Sequence, residues 1–227
     1  MFIELVDALR CPTPHEESWL VAAATRMEFR HIVEGTLGCP VCHAHYPIHR
    51  GVVDFRRAGA GLSVASYSQD DIPTARRAGP VSDARPDEAQ ATRLAAFLDL
   101  TDSTGFALLL GPWGVHAPLL RGLVETPLIV VDPPEGMEGE PGISIIRCDD
   151  ELPLAAGAAR GTAIDAGSDA RVASAVRATR AKGRLVAPVS IALPTDVKEL
   201  ARDDAVWVAE REAVASPLLT LHVRRGG

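Results

Sequence analysis

Lysine is nearly missing from this chain: Lys182 and Lys198 are the only two, and 23 basic side chains against 30 acidic ones leave a formal net charge of −7. An acidic chain whose cations are almost all arginine and scattered along it argues against nucleic acid as a partner, because a phosphate backbone needs clustered cations. No apolar run approaches the ~18 residues that cross a bilayer, so no membrane is expected. The opening "MFIELVDALRCP" carries acids where a secretory leader carries cations, which points to a cytoplasmic protein. Gly-x-Ser-x-Gly, a Walker loop and a His-Glu-x-x-His helix are all lacking, so no catalytic residue can be named from a motif. Cysteine is scarce as well, at four residues, and three of them fall within the first 42 positions. In a reducing compartment such crowding reads as metal ligation rather than disulfide bonding.

What the chain does have is enough apolar material, 47% of 227 residues, for one large domain or two small ones. "FIELVDALR" has a helical apolar stripe ending at Cys11-Pro12, and "SWLVAAATRMEFRHIVEGTLGC" reads as a meander of strands turning at Glu34-Gly35. "YPIHRGVVDF" gives a further hairpin with its turn at Arg50-Gly51. Residues 58–86 are rich in Gly, Ala, Ser, Pro and charge and read as a linker, followed by a helix over 87–100.

Beyond residue 105 the rhythm changes. "FALLLG", "LIVVD", "ISII", "TAID" and "RLVAPV" are short apolar runs without alternation, spaced by helical or loop segments. Such runs are strands covered on both faces, hence a parallel sheet between helices. "AVWVAERE" and "LLTLHVRR", turning at Ser216-Pro217, are expected to close it with an antiparallel hairpin.

Two constellations carry chemistry. Cys39 and Cys42 in "CPVC" form one half of a tetrahedral metal site, and "CPTPH" supplies Cys11 and His15 as the other half. His43 and His45 stand as substitutes for His15. Four protein donors leave no open position, so the metal's role is structural. The second constellation is the glycine turn "LLLGPWGVHA", with Gly111 and Gly114 closing the first strand of the sheet, Asp132 ending the second and Asp149 following the third. Acids also end strands simply as turn residues and caps.

The order of a short helix, a "CP" knuckle, a strand meander, "CPVC" and then Tyr46-Pro47-Ile48 with Gly51, Val52 and Val53 resembles the small zinc-ribbon family that includes the activator subunit of tRNA and protein methyltransferases. The likeness covers about residues 1–57, with Pro14 standing where that family has its second cysteine. Residues 87–225 are similar in order to class I methyltransferases that use S-adenosylmethionine. That resemblance implies an α/β, Rossmann-like methyltransferase fold with a mostly parallel sheet and a C-terminal antiparallel hairpin, preceded by the small zinc-ribbon β domain. The layout is then a ribbon at 1–57, a linker at 58–86 and a methyltransferase-like domain at 87–227. The resemblance further implies zinc and S-adenosylmethionine as cofactors, with Gly111 and Gly114 lining the methionine and ribose side, Asp132 on the ribose hydroxyls and Asp149 by the adenine. Leu109 and Pro112-Trp113 depart from the family's acidic, glycine-rich turn and place bulk where the cofactor should pass. Two functions follow as expectations: methyl transfer to an unidentified acceptor, or an inactive relative acting through a protein partner or self-association.

Overall fold

The computed structural model describes residues 1–56, 59–60, 85–101, 103–165 and 168–213. The chain opens with a six-residue 3-10 helix, Ile3–Ala8, rather than the expected two-turn α-helix. Leu9 turns extended and bridges to Leu154, which stops the helix early. Strands β1 (Val21–Glu28), β2 (His31–Gly38), β3 (Ala44–His49) and β4 (Val52–Asp54) follow as an antiparallel meander. A two-residue strand, β5 (Gly59–Ala60), pairs with β3. It begins the segment read from sequence as a linker, most of which lies outside the described residues.

The β1–β2 turn falls at Phe29 and Arg30, both in the left-handed region with φ of 45° and 65°, and not at Glu34-Gly35. Gly35 sits inside β2 because a Cβ there would lie 2.5 Å from the Ala23 carbonyl oxygen, so the glycine serves a close approach of two backbones. The turn at Arg50-Gly51 forms where the sequence places it, with φ of 49° and 74°.

The second part builds helix α1 (Glu88–Phe97), strand β6 (Phe106–Leu110), helix α2 (Ala117–Leu123), strands β7 (Leu128–Val131), β8 (Ile143–Arg147) and β9 (Ala159–Ala163), helix α3 (Asp169–Ala178), and strands β10 (Thr179–Pro188), β11 (Val197–Arg202) and β12 (Val206–Arg211). Asp87 caps α1 by accepting from the Gln90 amide, and Ser168 caps α3 by accepting from the Arg171 amide. The antiparallel hairpin is made by β11 with β12, so "AVWVAERE" pairs with the "VKELAR" before it. "LLTLHVRR" lies outside the described residues.

All twelve strands join one mixed α/β sheet in the order β1-β2-β3-β4-β8-β7-β6-β9-β10-β12-β11, with β5 beside β3. The junction is β4 running parallel to β8, with Val52 against Ile145, Val53 against Ile146 and Asp54 against Arg147. From β6 the chain winds outward through β7 and β8, then returns to place β9 on the other side of β6. Between β6 and β9 the direction of winding reverses, and at such a switch point the carboxyl ends of the strands splay to form a crevice.

Alternate strand residues feed two cores. Ala107, Leu109, Leu128, Val130, Ile143 and Ile145 pack under α1 and α2. Leu108, Leu110, Ile129, Val131 and Ile146 pack on the other face with α3 and with Met1, Leu5, Leu9, Tyr46 and Phe55. The N-terminal segment therefore shares both a sheet and a core with the rest of the described chain. No helix among the described residues is long and apolar enough to cross a membrane.

Candidate functional site

The first site sits where the two knuckles of the N-terminal segment meet. Each of Cys11, His15, Cys39 and Cys42 offers one ligand atom, and the four atoms lie within 4.8 Å of one another. Cys11 Sγ is 3.7 Å from Cys42 Sγ, and Cys39 Sγ is 3.4 Å from His15 Nε2. A tetrahedron with metal–sulfur bonds of about 2.3 Å has edges of roughly 3.7 Å, so the Cys11–Cys42 and Cys39–His15 separations are close to those of a zinc site, and the donor set as a whole needs to contract by about an ångström at most. The knuckle geometry is local: His43 takes φ of 59° and its amide donates to the Cys39 carbonyl at 3.0 Å, closing the turn. His43 and His45 lie outside the gathered donor atoms, and His15 supplies the fourth.

The electrostatics of Cys11 and Cys39 suit a cation. Burial raises the Cys11 thiol, but hydrogen bonds from Tyr46 and Thr13 outweigh it and lower the thiol to about 6. Burial also opposes ionisation of Cys39, and the backbone amides of Cys42 and Val41 overcome that opposition. Cys42 stays raised by burial. His15 Nδ1 bonds the Glu16 carbonyl at 2.5 Å, which makes Nδ1 the protonated nitrogen and leaves Nε2 free to ligate.

The second site is the crevice at the carboxyl ends of β6, β7, β8 and β9. Gly111 has φ of 54°, and a Cβ there would collide with Asp165 Oδ2. Gly114 is equally tight, its absent Cβ facing Val130 Cγ1. The turn itself is a 3-10 helix, Gly111–His116, and the Trp113 indole N–H donates to the Ile164 carbonyl at 2.9 Å, so the ring is pinned across the end of β9.

Asp132 also sits in the left-handed region, with φ of 48°. Its Oδ1 accepts from the Cys148 amide at 3.2 Å, and its Oδ2 accepts from Arg171 Nη2 at 2.6 Å. Arg171 extends its other nitrogen, Nη1, to the Asp149 carbonyl at 2.9 Å. One guanidinium thus ties together the two acidic positions read from sequence as the ribose and adenine contacts. Burial raises the Asp132 carboxyl, with Arg171 opposing that rise. Burial likewise pushes the Cys148 thiol to about 12, which disfavours its thiolate. Arg56, just past β4, forks onto Asp54 at 3.0 and 3.1 Å and lies near enough to feel the charges of Asp132 and Asp149. Asp165 Oδ1 is buried without a hydrogen-bond partner among the described residues. Grooves of about 500 and 390 Å³ lie elsewhere, one between α3 and residues 191–196 and one beside Gly136–Glu140.

Arg171 was not foreseen. The available signal was an arginine in the first turn of α3, where the helix dipole disfavours a cation and an acidic partner must compensate.

No family model matches the chain, and no curated protein matches it. Solved structures that align with part of this chain include a Methanococcus maripaludis chain described as an S-adenosyl-L-methionine-dependent methyltransferase, at 9% identity and TM-score 0.44, over 58% of this chain and 87% of that one. Another is geranyl diphosphate C-methyltransferase from Streptomyces coelicolor, at 14% identity and TM-score 0.36, over 44% of each chain. A third is the complex between the Haloferax volcanii Trm112 methyltransferase activator and a methyltransferase, at 16% identity and TM-score 0.36, over 44% of this chain and 51% of that one.

Proposed function

We propose that this protein is a methyltransferase-like module, Rossmann-like in its parallel sheet and fused to a zinc ribbon, in which the nucleoside crevice is closed by the chain's own side chains and which works through contacts rather than methyl transfer. Zinc held by Cys11, His15, Cys39 and Cys42 knits the two knuckles together and, with four protein donors, leaves no place for water or substrate. The ribbon then serves as an added edge to the sheet through β4 and β8.

The observation that carries this reading is the 2.6 Å ion pair from Arg171 to Asp132. A carboxylate at the end of the second strand of a doubly wound sheet is the acceptor for ribose hydroxyls, and here both of its oxygens already accept, one from Arg171 and one from the Cys148 amide. The Trp113 ring, bonded to Ile164, adds bulk at the glycine turn, where backbone amides need an unobstructed approach to a ligand.

The competing reading, an active S-adenosylmethionine-dependent methyltransferase, draws on Gly111 and Asp132 keeping their places and needs Arg171 and Trp113 to swing away. Calorimetry with S-adenosylmethionine and S-adenosylhomocysteine separates the two. The closed crevice gives no heat up to about 1 mM ligand, whereas a low-micromolar Kd overturns the non-catalytic reading.

A further inference from the structure

We propose that Cys11 and Cys42 form an oxidation site, at which a hydroperoxide joins the two sulfurs in a disulfide and expels the metal from the knuckles. Their Sγ atoms lie 3.7 Å apart, although 31 positions separate them in the chain. Both side chains are partly exposed, whereas Cys39 and Cys148 are buried. A small oxidant therefore reaches the two sulfurs that already face each other.

The choice of partner follows from what holds each sulfur. Cys39 Sγ lies 3.4 Å from His15 Nε2 and accepts from the backbone amides of Cys42 and Val41, which keep it inside its turn. That turn is closed by the His43 amide on the Cys39 carbonyl at 3.0 Å. A bond from Cys39 to Cys42 gives up those amide contacts, whereas a bond from Cys11 to Cys42 leaves them in place. On the other knuckle the Tyr46 hydroxyl lies 3.2 Å from Cys11 Sγ and 3.2 Å from Thr13 Oγ1. Tyr46 is fully buried, so it is a fixed post that keeps Cys11 Sγ turned toward Cys42.

Thiolates are the form that attacks peroxide, and zinc ligation keeps its sulfurs deprotonated. With hydrogen peroxide, one thiolate attacks the O–O bond: an S–O bond forms, O–O breaks, and the departing hydroxide takes a proton from solvent and leaves as water. The second thiolate attacks that sulfur, S–S forms, S–O breaks, and a second hydroxide leaves as water with another solvent proton. The two sulfurs lose two electrons and the peroxide gains them. Only Cys39 and His15 then remain for the metal, which departs. That last step rests on the zinc proposed above, while the disulfide rests on the sulfur contact alone.

The test treats the full chain, purified without chelator, with hydrogen peroxide, quenches in acid, unfolds and alkylates it, and maps the cysteines by tandem mass spectrometry. Cys11 and Cys42 should lose the label together and appear as one cross-linked pair, while Cys39 and Cys148 keep theirs. A metallochromic dye should register about one equivalent of zinc released in step, and dithiothreitol with added zinc should reverse both changes. Cys11→Ser and Cys42→Ser should each abolish the intramolecular bond, and if either misfolds, the map of the native chain decides without it. A dominant Cys39–Cys42 or Cys11–Cys39 link overturns the proposal. So does a chain in which Cys11 is oxidised further while Cys42 keeps its label. The Cys11–Cys42 bond forming with no metal released upholds the oxidation site and removes the zinc reading instead.

Discussion

Arg171 and Asp132 meet across 39 residues of sequence, Nη2 to Oδ2 at 2.6 Å, at the end of the sheet where doubly wound folds receive their ligands. The arginine side chain is 10% exposed and the aspartate 27%, so removing one partner strands a largely desolvated charge. Arg171→Ala should cost about 3 kcal/mol, the lower end for breaking a buried pair, because Asp132 keeps some contact with water. Urea unfolding of the two single variants and of Arg171→Ala with Asp132→Asn checks this. The double variant should be less destabilised than the sum of the singles, by at least about 1 kcal/mol, since the two residues act as one unit.

One zinc per chain is expected from the four donors at the knuckles. Cys39→Ser should drop the stoichiometry from one equivalent to below about a tenth, because a three-donor remnant loses most of the binding free energy that also folds the knuckles. Elemental analysis of protein purified without chelator measures this directly. Chelation of the native protein should unfold β1–β3 and, since their residues share a core with α3 and the parallel strands, lower the melting temperature of the whole.

The legible part of the fold was the part whose physics is local to the run. β6, β7 and β8 are buried on both faces, so their apolar runs announce a parallel sheet. β11 escaped because "VKELAR" has one buried residue and five exposed ones, which leaves no hydrophobic pattern to read. The Phe29-Arg30 turn escaped for a related reason: neither residue is one that favours positive φ, so pairing of β1 with β2 imposes the turn. At the sites the same division holds. Cys11, Cys39 and Cys42 announce themselves by spacing, whereas spacing leaves His15, His43 and His45 as alternatives for the fourth donor, and the fold gathers His15. The Arg171–Asp132 pair does not, because it depends on α3 delivering Arg171 to an acid at the end of β7, with β8 and β9 between them in the chain.

Two glycines give opposite expectations from their surroundings. At Gly35 an added Cβ meets the Ala23 carbonyl at 2.5 Å and the Ala24 Cα at 3.0 Å, both backbone atoms that cannot yield without parting β1 from β2. Gly35→Ala should therefore destabilise by roughly 1–3 kcal/mol, as overpacking does. Gly122 lies in α2 with nothing within 4 Å of its would-be Cβ, so Gly122→Ala should stabilise by about 0.5–1 kcal/mol through helix propensity. Chemical denaturation of both variants reads the two signs side by side.

Acid should loosen the N-terminal segment before carboxylate protonation alone would do so. The Met1 amine donates to His31 Nε2 at 2.6 Å and to the Ile32 carbonyl at 2.7 Å, while His31 Nδ1 is buried without a partner among the described residues. Burial and the adjacent amine lower His31 from 6.5 to about 4, and burial lowers the amine from 8.0 to about 5. Both groups bind protons more readily unfolded than folded, so their contribution is fully present above the unfolded values and is lost as pH falls through the folded ones. For His31 that window runs from about 6.5 down to about 4. Urea midpoints of the native protein and of His31→Gln should differ most near pH 8, and the gap should narrow through this window because only the native protein carries the titrating ring. A gap that stays constant from pH 8 to pH 4.5 would show that His31 is not held neutral against Met1.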